Sequence, residues 1–380
     1  MNADGSQTNH VPTRDELFAK WLAGLHAEIR QFAQTHAMTK SDQMFRQWIL
    51  TKVALPVPIP MPINRTYGVI AGLILPSSDI DLALHYADPN KVQSSSRLGT
   101  SGFDETFGEP ERDRDMETLR RLQEAILDST LPLPSSVRLV PASVPVLKLQ
   151  EKTTCILIDI TINNKDGAAS SRQINSWIEG YEPLFPMTLL IKHYLYAAGL
   201  NDTYTGGFGS FLVVNLLVFL FKQQPALLDR PHRYAILLLA FLRFYGTLFD
   251  YSKWGISAFT GRPFLLATDT RDWDNKRRSD AGAFPLVVED PTNPKHDIGR
   301  SGYHAANVLQ RFRDDFKRLL EIFARYVTSK NNPTDNNRAS DGDILLTWLG
   351  SGAAEVEAGF HARRQFISNL HEGIESCTSF

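Results

Sequence analysis

The sequence is poor in cysteine, with only Cys155 and Cys377 among its 380 residues. Two cysteines exclude a disulfide framework and a cysteine-rich zinc site, and such scarcity is typical of a reducing compartment. The first residues also lack the apolar segment of a secretory signal and the arginine-rich character of a transit peptide. We therefore expect an intracellular protein, in the mitochondrion, the nucleus or the cytoplasm.

A strong net charge and a long apolar run are also lacking. The chain has 40 basic and 42 acidic residues, for a formal net charge of −2, which excludes nucleic-acid binding by a bulk positive field. Any polyanion must therefore be held in a local site or by a partner. The most apolar runs, "FLVVNLLVFLF" from Phe211 and "AILLLAFL" from Ala235, are shorter than the roughly 18 to 20 residues that cross a bilayer. They predict buried helices and no membrane association.

The spacing of apolar residues predicts an α+β protein of two or three domains. A capping box at Thr13 and Glu16 predicts an amphipathic helix over residues 13–37. The predictions up to residue 162 are mixed: a short helix over 44–55, strands over 65–70 and 80–85, a polar surface insertion at about 88–115, a helix over 116–127, and β-rich runs over 136–150 and 153–162. Helices dominate after residue 174, and a polar linker with one or two short helices ends the chain.

Three aspartates lie within strand-like apolar runs. Asp79 and Asp81 are two residues apart, so in a strand their side chains point to the same face, while Ile80 points into the core. Asp159 is a lone carboxylate in "CILIDITI". Two like charges about 4 Å apart repel by about 4 kcal/mol at an effective dielectric of about 20, so a cation must compensate.

A single aspartate in such a position would more often cap a turn or pair with a lysine or arginine. The pattern Asp-x-Asp in one strand, with a further aspartate in a later strand, is instead typical of a site for hard divalent cations that take oxygen ligands. Two Mg²⁺ or Mn²⁺ ions at such a site can activate a hydroxyl nucleophile and neutralise the leaving phosphates.

Several blocks of the sequence together resemble one family. The run "GVIAGLILPSSDIDL" resembles the active-site strand of polymerase β-type nucleotidyltransferases, and within them of the terminal RNA nucleotidyltransferases: the terminal uridylyltransferases and the TRAMP-type poly(A) polymerases. The blocks "VPVLKL", "IDITIN", "LLIKHYLYAAGLNDTYTGGFGSF" and "VVEDPTNPKHDIGRSGY" follow in the family's order. The resemblance covers about residues 40 to 330, and the last block is the most specific.

The resemblance implies a two-lobed enzyme with its active site in the cleft between a mixed-sheet catalytic lobe and a mostly helical central lobe. Asp79, Asp81 and Asp159 would be the catalytic metal ligands. The implied domains are an amino-terminal helix packing on the central lobe (1–40), a catalytic domain with the polar insertion (41–165), a central, PAP-associated domain (166–330), and a linker with carboxy-terminal helices (331–380).

By the same resemblance, three residues of the central lobe would hold the nucleotide. Lys192 would contact the triphosphate, although a lysine on a helix more often faces solvent. Ser210 would bind phosphate at a helix amino terminus, where a serine is equally often a plain helix cap. Phe211 would stack on the base, a contact of about 1 to 3 kcal/mol that is indifferent to base identity, although a core phenylalanine is a serious alternative in so apolar a run.

Two further residues, Asp290 and His296 in "EDPTNPKH", would read the base edge. A histidine that donates a hydrogen bond favours the uracil carbonyl over the adenine amine, and uridylyltransferases often have histidine at this position. UTP is therefore the expected substrate and ATP the alternative, since Asn293 replaces an acidic residue of some uridylyltransferases and the "EDPTNP…DIGR" frame is closer to the TRAMP-type enzymes. Ser170 falls where uridylyltransferases place a ribose-binding asparagine, but an ordinary loop serine is the better interpretation.

The sequence departs from the family pattern at two positions. Most members have Gly-Ser where this chain has Gly68 and Val69, so a hydroxyl that contacts the triphosphate is lost, although backbone N–H groups near Gly68 remain. Tyr196 replaces a second lysine one turn after Lys192. A weakly active or inactive paralogue acting as a scaffold is therefore an alternative to an active enzyme.

A nucleotidyltransferase for small molecules would share the aspartates, but it has no reason to contain the "EDPTNPKHDIGR" block. The implied partner is an RNA 3′ end. Because no RNA-recognition domain, zinc knuckle or basic tail is visible in the sequence, we expect partner proteins to supply RNA contacts.

Overall fold

A computed structural model describes residues 12–54, 63–66, 78–86, 109–128, 136–141, 144–152, 154–162, 166–271, 273, 286–331 and 343–378. These residues form two compact units. The sheet unit contains the described residues of His36–Gly180 and Glu357–Phe380, and the helical unit contains those of Met1–Thr35 and Tyr181–Val356. The predicted α+β fold class is confirmed. Gly68 and Val69, which were predicted to approach the triphosphate, lie outside the described residues.

The sheet unit is built on a mixed five-stranded sheet. Its strands are β1 (Ile63–Thr66), β2 (Ile80–Tyr86), β3 (Ser136–Val140), β4 (Val146–Gln150) and β5 (Leu157–Ile162). Their spatial order is β1-β2-β5-β4-β3. The β2–β5 pair is parallel, whereas the other neighbouring pairs are antiparallel. The two strands that contain the predicted catalytic aspartates are therefore direct neighbours.

One face of this sheet is covered and the other contains the aspartates. Even-numbered residues of β2 and β5, from Ile80 to Leu84 and from Ile158 to Ile162, are buried in one core together with Leu119 and Leu122. The helices of this unit are α2 (Lys40–Ala54), α3 (Glu109–Leu127), α4 (Asp166–Gly180) and most of α10 (Ser351–Thr378). Because side chains alternate along a strand, the odd-numbered positions, including Asp81 and Asp159, face away from this core.

The helical unit buries the apolar runs that the sequence predicted to be helices. It consists of α1 (Arg14–His36, up to residue 35), α5 (Leu184–Ala197), α6 (Ser210–Gln223), α7 (Arg233–Arg243), α8 (Ala305–Asn331) and α9 (Ile344–Leu349), with a small sheet of β6 (Trp254–Ser257), β7 (Arg262–Leu265) and β8 (Val288–Glu289). Residues 212–221 of α6 are all buried. Among the described residues, no helix is long and apolar enough to cross a membrane.

The amino-terminal helix begins at the predicted capping box. Thr13 N–H donates to Glu16 Oε2 at 2.8 Å, and Glu16 N–H donates to Thr13 Oγ1 at 3.3 Å. This reciprocal pair satisfies two donors that the first helical turn leaves without partners. Further along α1, the Trp21 ring lies 5.4 Å from that of Phe323 in α8. The helix is therefore part of the core of the helical unit.

Glu28, on α1, also caps a helix near the other end of the chain. Its carboxylate accepts hydrogen bonds from the N–H groups of Asp343 and Ile344, both at 3.1 Å, and of Leu345 at 2.6 Å. A carboxylate at a helix amino terminus is stabilising because it meets the positive end of the helix dipole. The first and the last helices of this unit are thereby joined directly.

The structure differs from the sequence prediction at two boundaries. Helix α3 begins at Glu109, so the last seven residues of the predicted insertion, 109–115, are helical; residues 87–108 lie outside the described part of the chain. Although the first half of α3 is highly charged, one face of the helix is packed, since Asp115 and Thr118 are each only 4% exposed. Helix α4 groups with the sheet unit, which places the boundary after residue 180 rather than after 165.

The carboxy-terminal region also differs from its prediction of one or two short helices. Helix α10 has 28 residues, and its Phe360 and Ile367 are buried. Arg364 donates to Asp42 Oδ2 at 2.8 Å and to the carbonyl oxygen of Ala37. Because the tail packs within the sheet unit, residues 357–378 do not form a separate terminal segment.

Candidate active site

Asp81 and Asp159 are register partners on adjacent parallel strands. In the β2–β5 ladder, Asp81 pairs with Asp159, between the pairs Ile80–Ile158 and Leu82–Ile160. Directly paired residues of neighbouring strands project from the same face of a sheet. Asp79 immediately precedes β2, two positions before Asp81. The structure thus brings the three predicted carboxylates together at one place on the sheet.

Lys148 extends this row of charges onto a third strand. It is the register partner of Asp159 in the antiparallel β4–β5 pair, and its Nζ lies 2.5 Å from Asp159 Oδ2. The other carboxylate oxygen, Asp159 Oδ1, is buried and has no hydrogen-bond partner. Lys148 was not among the predicted site residues, although a lysine between leucines in the strand-like run "VLKL" was a usable signal.

A second cation, Arg46 of α2, supports the loop that enters β2. Its guanidinium donates to the carbonyl oxygens of Ser78 and of Asp79, the latter at 3.4 Å. Arg46 is 6% exposed, and burial lowers its pKa to about 10 against the opposing effect of Asp42 and Asp79, so it stays charged at neutral pH. The only sequence feature that pointed to Arg46 is weak: it is an arginine among apolar residues in "MFRQWIL".

The carboxylate cluster has the electrostatics of a cation site. Desolvation, followed by repulsion from Asp159 and Asp81, raises the pKa of Asp79 to about 6, although Lys148 and Arg46 act in the opposite direction. Three carboxylates offer the hard oxygen ligands that Mg²⁺ and Mn²⁺ prefer, and the unpartnered oxygen of Asp159 supplies one ligand atom that no protein group uses. The residues present therefore fit divalent cations.

The amino terminus of α6 presents two predicted nucleotide contacts. Helix α6 begins at Ser210, and its N-cap residue is Gly209, which has no side chain that could cap the first turn. Ser210 is exposed, and Phe211 is half-buried even though residues 212–221 are buried. A first turn with open N–H groups, a hydroxyl and an accessible ring can take a phosphate and a base.

Helix α5 contains Lys192, which is half-buried, and Tyr196, which is 49% exposed one turn later. The tyrosine therefore occupies the surface where many uridylyltransferases place a second lysine.

The predicted base-reading residues form one compact loop. Asp290 Oδ2 lies 3.3 Å from His296 Nδ1, and Asp290 Oδ1 accepts hydrogen bonds from Thr292 N–H at 2.8 Å and from its hydroxyl at 2.7 Å. Burial acts to raise the pKa of Asp290, but the bonds from His296 and Thr292 outweigh it and hold that pKa below its usual range. Asp290 thus orients the imidazole, and the His296 side chain, which is 43% exposed, is the member of the pair that can reach a base.

Ser170 does not lie in a loop, contrary to the interpretation from the sequence. It is a half-buried residue of α4 in the sheet unit. The other predicted residues divide between the units: the three aspartates belong to the sheet unit, and the helical unit contains Lys192, Ser210, Phe211, Asp290 and His296. Their convergence in one cleft remains a prediction.

Comparison with known proteins gives matches along most of the chain. Residues 26–179 match the family described as "Poly(A) RNA polymerase, mitochondrial-like, central palm domain", and residues 233–296 match "Cid1 family poly A polymerase". The inactive poly(A) RNA polymerase protein Trf4-2 of Drosophila melanogaster is 28% identical over 312 residues, which cover 79% of this chain and 69% of that protein. Poly(A) RNA polymerase protein 1 of Eremothecium gossypii is 24% identical over 318 residues, covering 82% and 46% respectively.

Solved structures share the fold. The polymerase core of TRAMP, an RNA surveillance complex, superposes with a TM-score of 0.64 at 20% identity, covering 92% of this chain and 100% of that one. The Cid1 poly(U) polymerase bound to MgGTP gives 0.56 at 17% identity, covering 78% and 94%. The chain spans half or less of six curated relatives, from 32% to 50% of their length.

The mixed sheet with its aspartate row and the two family matches define the class as a polymerase β-type nucleotidyltransferase core. Within that class, residues 26–179 and 233–296 match domain families of the poly(A) RNA polymerases, and the similar proteins include Cid1-type and TRAMP-type poly(A) and poly(U) polymerases.

Proposed function

We propose that this chain adds nucleotides to RNA 3′ ends without a template, by transferring a nucleoside monophosphate from a triphosphate to the terminal hydroxyl. The observation that carries the proposal is the placement of Asp81 and Asp159 in register on adjacent strands, with Asp79 two residues before Asp81. A purely structural sheet has no reason to cluster three carboxylates, because their mutual repulsion is unfavourable.

Asp79, Asp81 and Asp159 would hold Mg²⁺ or Mn²⁺. When bound, such ions activate a hydroxyl nucleophile and neutralise charge on the leaving phosphates. Asp159 is the candidate base for the RNA 3′ hydroxyl, since one of its oxygens has no partner within the protein. Lys148, paired with the other oxygen, keeps the carboxylate in one orientation.

The helical unit would hold the nucleotide. Ser210 and the first-turn N–H groups of α6 are suited to the triphosphate, with Lys192 as a charged contact. The half-buried Phe211 ring would stack on the base. These contacts fix the nucleotide without selecting among bases, so selection must come from elsewhere in the site.

UTP is the first candidate, because of His296. If its Nδ1 donates to Asp290, the protonated imidazolium also has a donor at Nε2, and that donor matches the uracil carbonyl. The ionised Asp290 carboxylate favours this charged form.

ATP is the second candidate, and the same geometry supports it in another protonation state. A neutral imidazole that donates from Nδ1 presents an acceptor at Nε2, which matches the adenine amine. The matched relatives from Eremothecium gossypii and Saccharomyces cerevisiae are named poly(A) RNA polymerases.

An inactive scaffold is the competing function, and the relative Trf4-2 is itself named inactive. The complete aspartate set of this chain favours activity. Because the chain spans only part of most relatives, the RNA substrate and the partner proteins are themselves proposals: we expect an RNA 3′ end, with proteins supplying further RNA contacts, as in a complex of the TRAMP kind.

The test is extension of an RNA primer by the purified chain with Mg²⁺ and each of the four nucleoside triphosphates in turn. We expect extension, fastest with UTP, and its loss in Asp159→Ala. Faster extension with ATP would reject the UTP proposal alone. No extension by the wild type, or equal extension by Asp159→Ala, would reject the enzyme proposal.

A further inference from the structure

Two consecutive residues, Tyr303 and His304, bind three consecutive carbonyl groups of the glycine-rich loop before α6. The Tyr303 hydroxyl donates to the carbonyl oxygen of Tyr204 at 2.5 Å, and His304 Nδ1 lies 2.9 Å from that of Thr205. The His304 backbone N–H donates to the carbonyl oxygen of Gly206 at 3.1 Å. The second bond requires the tautomer that has a proton on Nδ1.

The contact between the loop and Tyr303–His304 leaves no room for a side chain at Gly206. Gly206 has φ +81°, a conformation that L side chains rarely adopt, and a Cβ there would lie 2.8 Å from the Tyr303 ring. It would also lie 2.9 Å from the His304 backbone nitrogen. The glycine is therefore required by this contact as well as by its backbone conformation.

The orientation of these carbonyls matters for an anion bound at α6. Gly206 lies four residues before Ser210, the first residue of the helix. A carbonyl oxygen that turned toward a phosphate would repel it, whereas backbone N–H groups attract it. By engaging three carbonyls, Tyr303 and His304 hold the peptide planes of the loop in one orientation before any ligand binds.

The same two residues are tied to the base-reading loop by a short and rigid connection. Asp297, next to His296, accepts hydrogen bonds at Oδ1 from Val288 N–H at 3.0 Å and from Gly299 N–H at 2.9 Å. A single 3₁₀ turn, Ile298–Ser301, then leads to Gly302 and Tyr303. Gly302 packs closely on Phe208: a Cβ atom at Gly302 would lie only 3.0 Å from a carbon of the Phe208 ring.

We propose that Tyr303 and His304 are positioning residues that set the distance and orientation between the phosphate-binding start of α6 and the base-reading loop at Asp290 and His296. We call the three bonds from Tyr303 and His304 to the loop carbonyls the clamp. The clamp is defined by these contacts alone, whereas its effect on catalysis rests on the proposed function. A nucleotide bound by both ends would gain affinity from this fixed spacing, because less freedom is lost on binding.

The first test measures the clamp without any nucleotide. Amide hydrogen exchange of the loop is compared in the wild type, Tyr303→Phe, His304→Ala and His304→Asn, with attention to Gly207 and Phe208, whose N–H groups donate to the carbonyl oxygens of Asp202 and Leu200. Loss of one hydrogen bond should speed exchange about three- to tenfold in the first two variants. His304→Asn retains a donor near the Nδ1 position and should restore slow exchange.

The second test measures steady-state kinetics of RNA extension in the same variants. We expect KM for the nucleoside triphosphate to rise about three- to tenfold with kcat changed less than twofold. The discrimination between UTP and ATP should fall as well. Tyr245→Phe is the matched control: it removes another tyrosine-to-carbonyl bond of this unit, to Leu216 at 2.6 Å, and should lower thermal stability without changing KM or discrimination.

The outcomes separate the two proposals. Unchanged loop exchange in Tyr303→Phe and His304→Ala overturns the clamp whether or not the chain is an enzyme. Faster exchange with unchanged KM in an active wild type overturns the positioning role. A wild type that extends no RNA overturns the proposed function, and the exchange measurement still decides the clamp.

Discussion

Lys148 and Asp159 face each other across neighbouring antiparallel strands, with Lys148 Nζ 2.5 Å from Asp159 Oδ2. The lysine neutralises one of three carboxylates and leaves Asp159 Oδ1 without a partner. The sheet therefore tolerates the aspartate row in the absence of a metal ion while a ligand oxygen stays in place for one.

Replacing Lys148 by methionine should destabilise the metal-free sheet unit by about 1 kcal/mol. Hydrogen bonds to charged groups contribute about 1.5 to 3 kcal/mol, but this lysine side chain is 41% exposed and water screens part of the interaction. Urea denaturation in the presence of a chelator measures the change. Arg120→Met, which breaks a more exposed ion pair with Glu117, is the control and should cost clearly less than the Lys148 variant, because water screens an exposed pair. Equal losses in the two variants would contradict the prediction.

Mg²⁺ should stabilise the wild type against heat, because it binds the folded carboxylate cluster and not the unfolded chain. At about 100 times the dissociation constant, the expected gain is about 2.7 kcal/mol. Differential scanning calorimetry with and without Mg²⁺ measures it. Asp159→Asn should abolish the gain, whereas Asp128→Asn, at an exposed position after α3, should retain it. The cation site is rejected if both variants respond as the wild type does.

Phe211→Ala should raise KM for UTP and for ATP by similar factors of about tenfold or more, since base stacking contributes about 1 to 3 kcal/mol whatever the base. Phe211→Tyr retains the ring and should stay within about twofold of the wild type. Initial-rate kinetics with each triphosphate make the comparison. A change confined to one nucleotide would show that Phe211 selects bases rather than stacking on them.

The preference for UTP over ATP should fall as the pH rises from about 6 to about 8. Histidine ordinarily titrates in this range, and deprotonation of His296 replaces a donor by an acceptor at Nε2. The pKa of Asp290 lies below its usual range, so this carboxylate stays ionised over the whole pH range and does not contribute to the pH dependence of the ratio. The ratio of kcat/KM values at each pH is the measurement. His296→Asn should favour ATP and remove the pH dependence of the ratio; a ratio that falls with pH in this variant would assign the effect to another group.

Val69→Ser should give a faster enzyme, a prediction that rests on the sequence because this position lies outside the described residues. A serine hydroxyl there would restore a hydrogen bond to the triphosphate, of about 1.5 to 3 kcal/mol. Single-turnover extension rates test it, with Val69→Thr as the variant that also supplies a hydroxyl but retains a branched side chain. Unchanged rates in both would mean that backbone groups already satisfy the phosphate.

The sequence was sufficient for the local parts of this site and insufficient for the parts that depend on strand pairing. Period-two alternation placed Ile80 in the core and Asp81 on the opposite face, and the Thr13 capping box located the start of α1. The alignment of Asp81 with Asp159 depends on strand order and register, which a pattern of apolar residues does not specify.

The supporting residues were missed for a related reason. Lys148 and Arg46 act through partners that are distant in the sequence, and each is a lone charge in an apolar run, a pattern that also fits an ordinary solvent-facing residue. The length of α10 was underestimated because its buried positions, Phe360 and Ile367, are widely spaced among polar and small residues.

The bond network between Glu28 and the start of α9 has a consequence for biosynthesis. The partners are separated by 315 to 317 residues, and the strands of the sheet unit are made in the interval. During translation, α1 leaves the ribosome long before α9 exists, so the helical unit can be completed only after residues 343–349 have been synthesised. Contacts of such sequence separation slow folding and prolong the exposure of apolar surface. Nascent chains of this protein should therefore depend on chaperones more than their size alone suggests, and premature termination before residue 343 should leave both units incomplete.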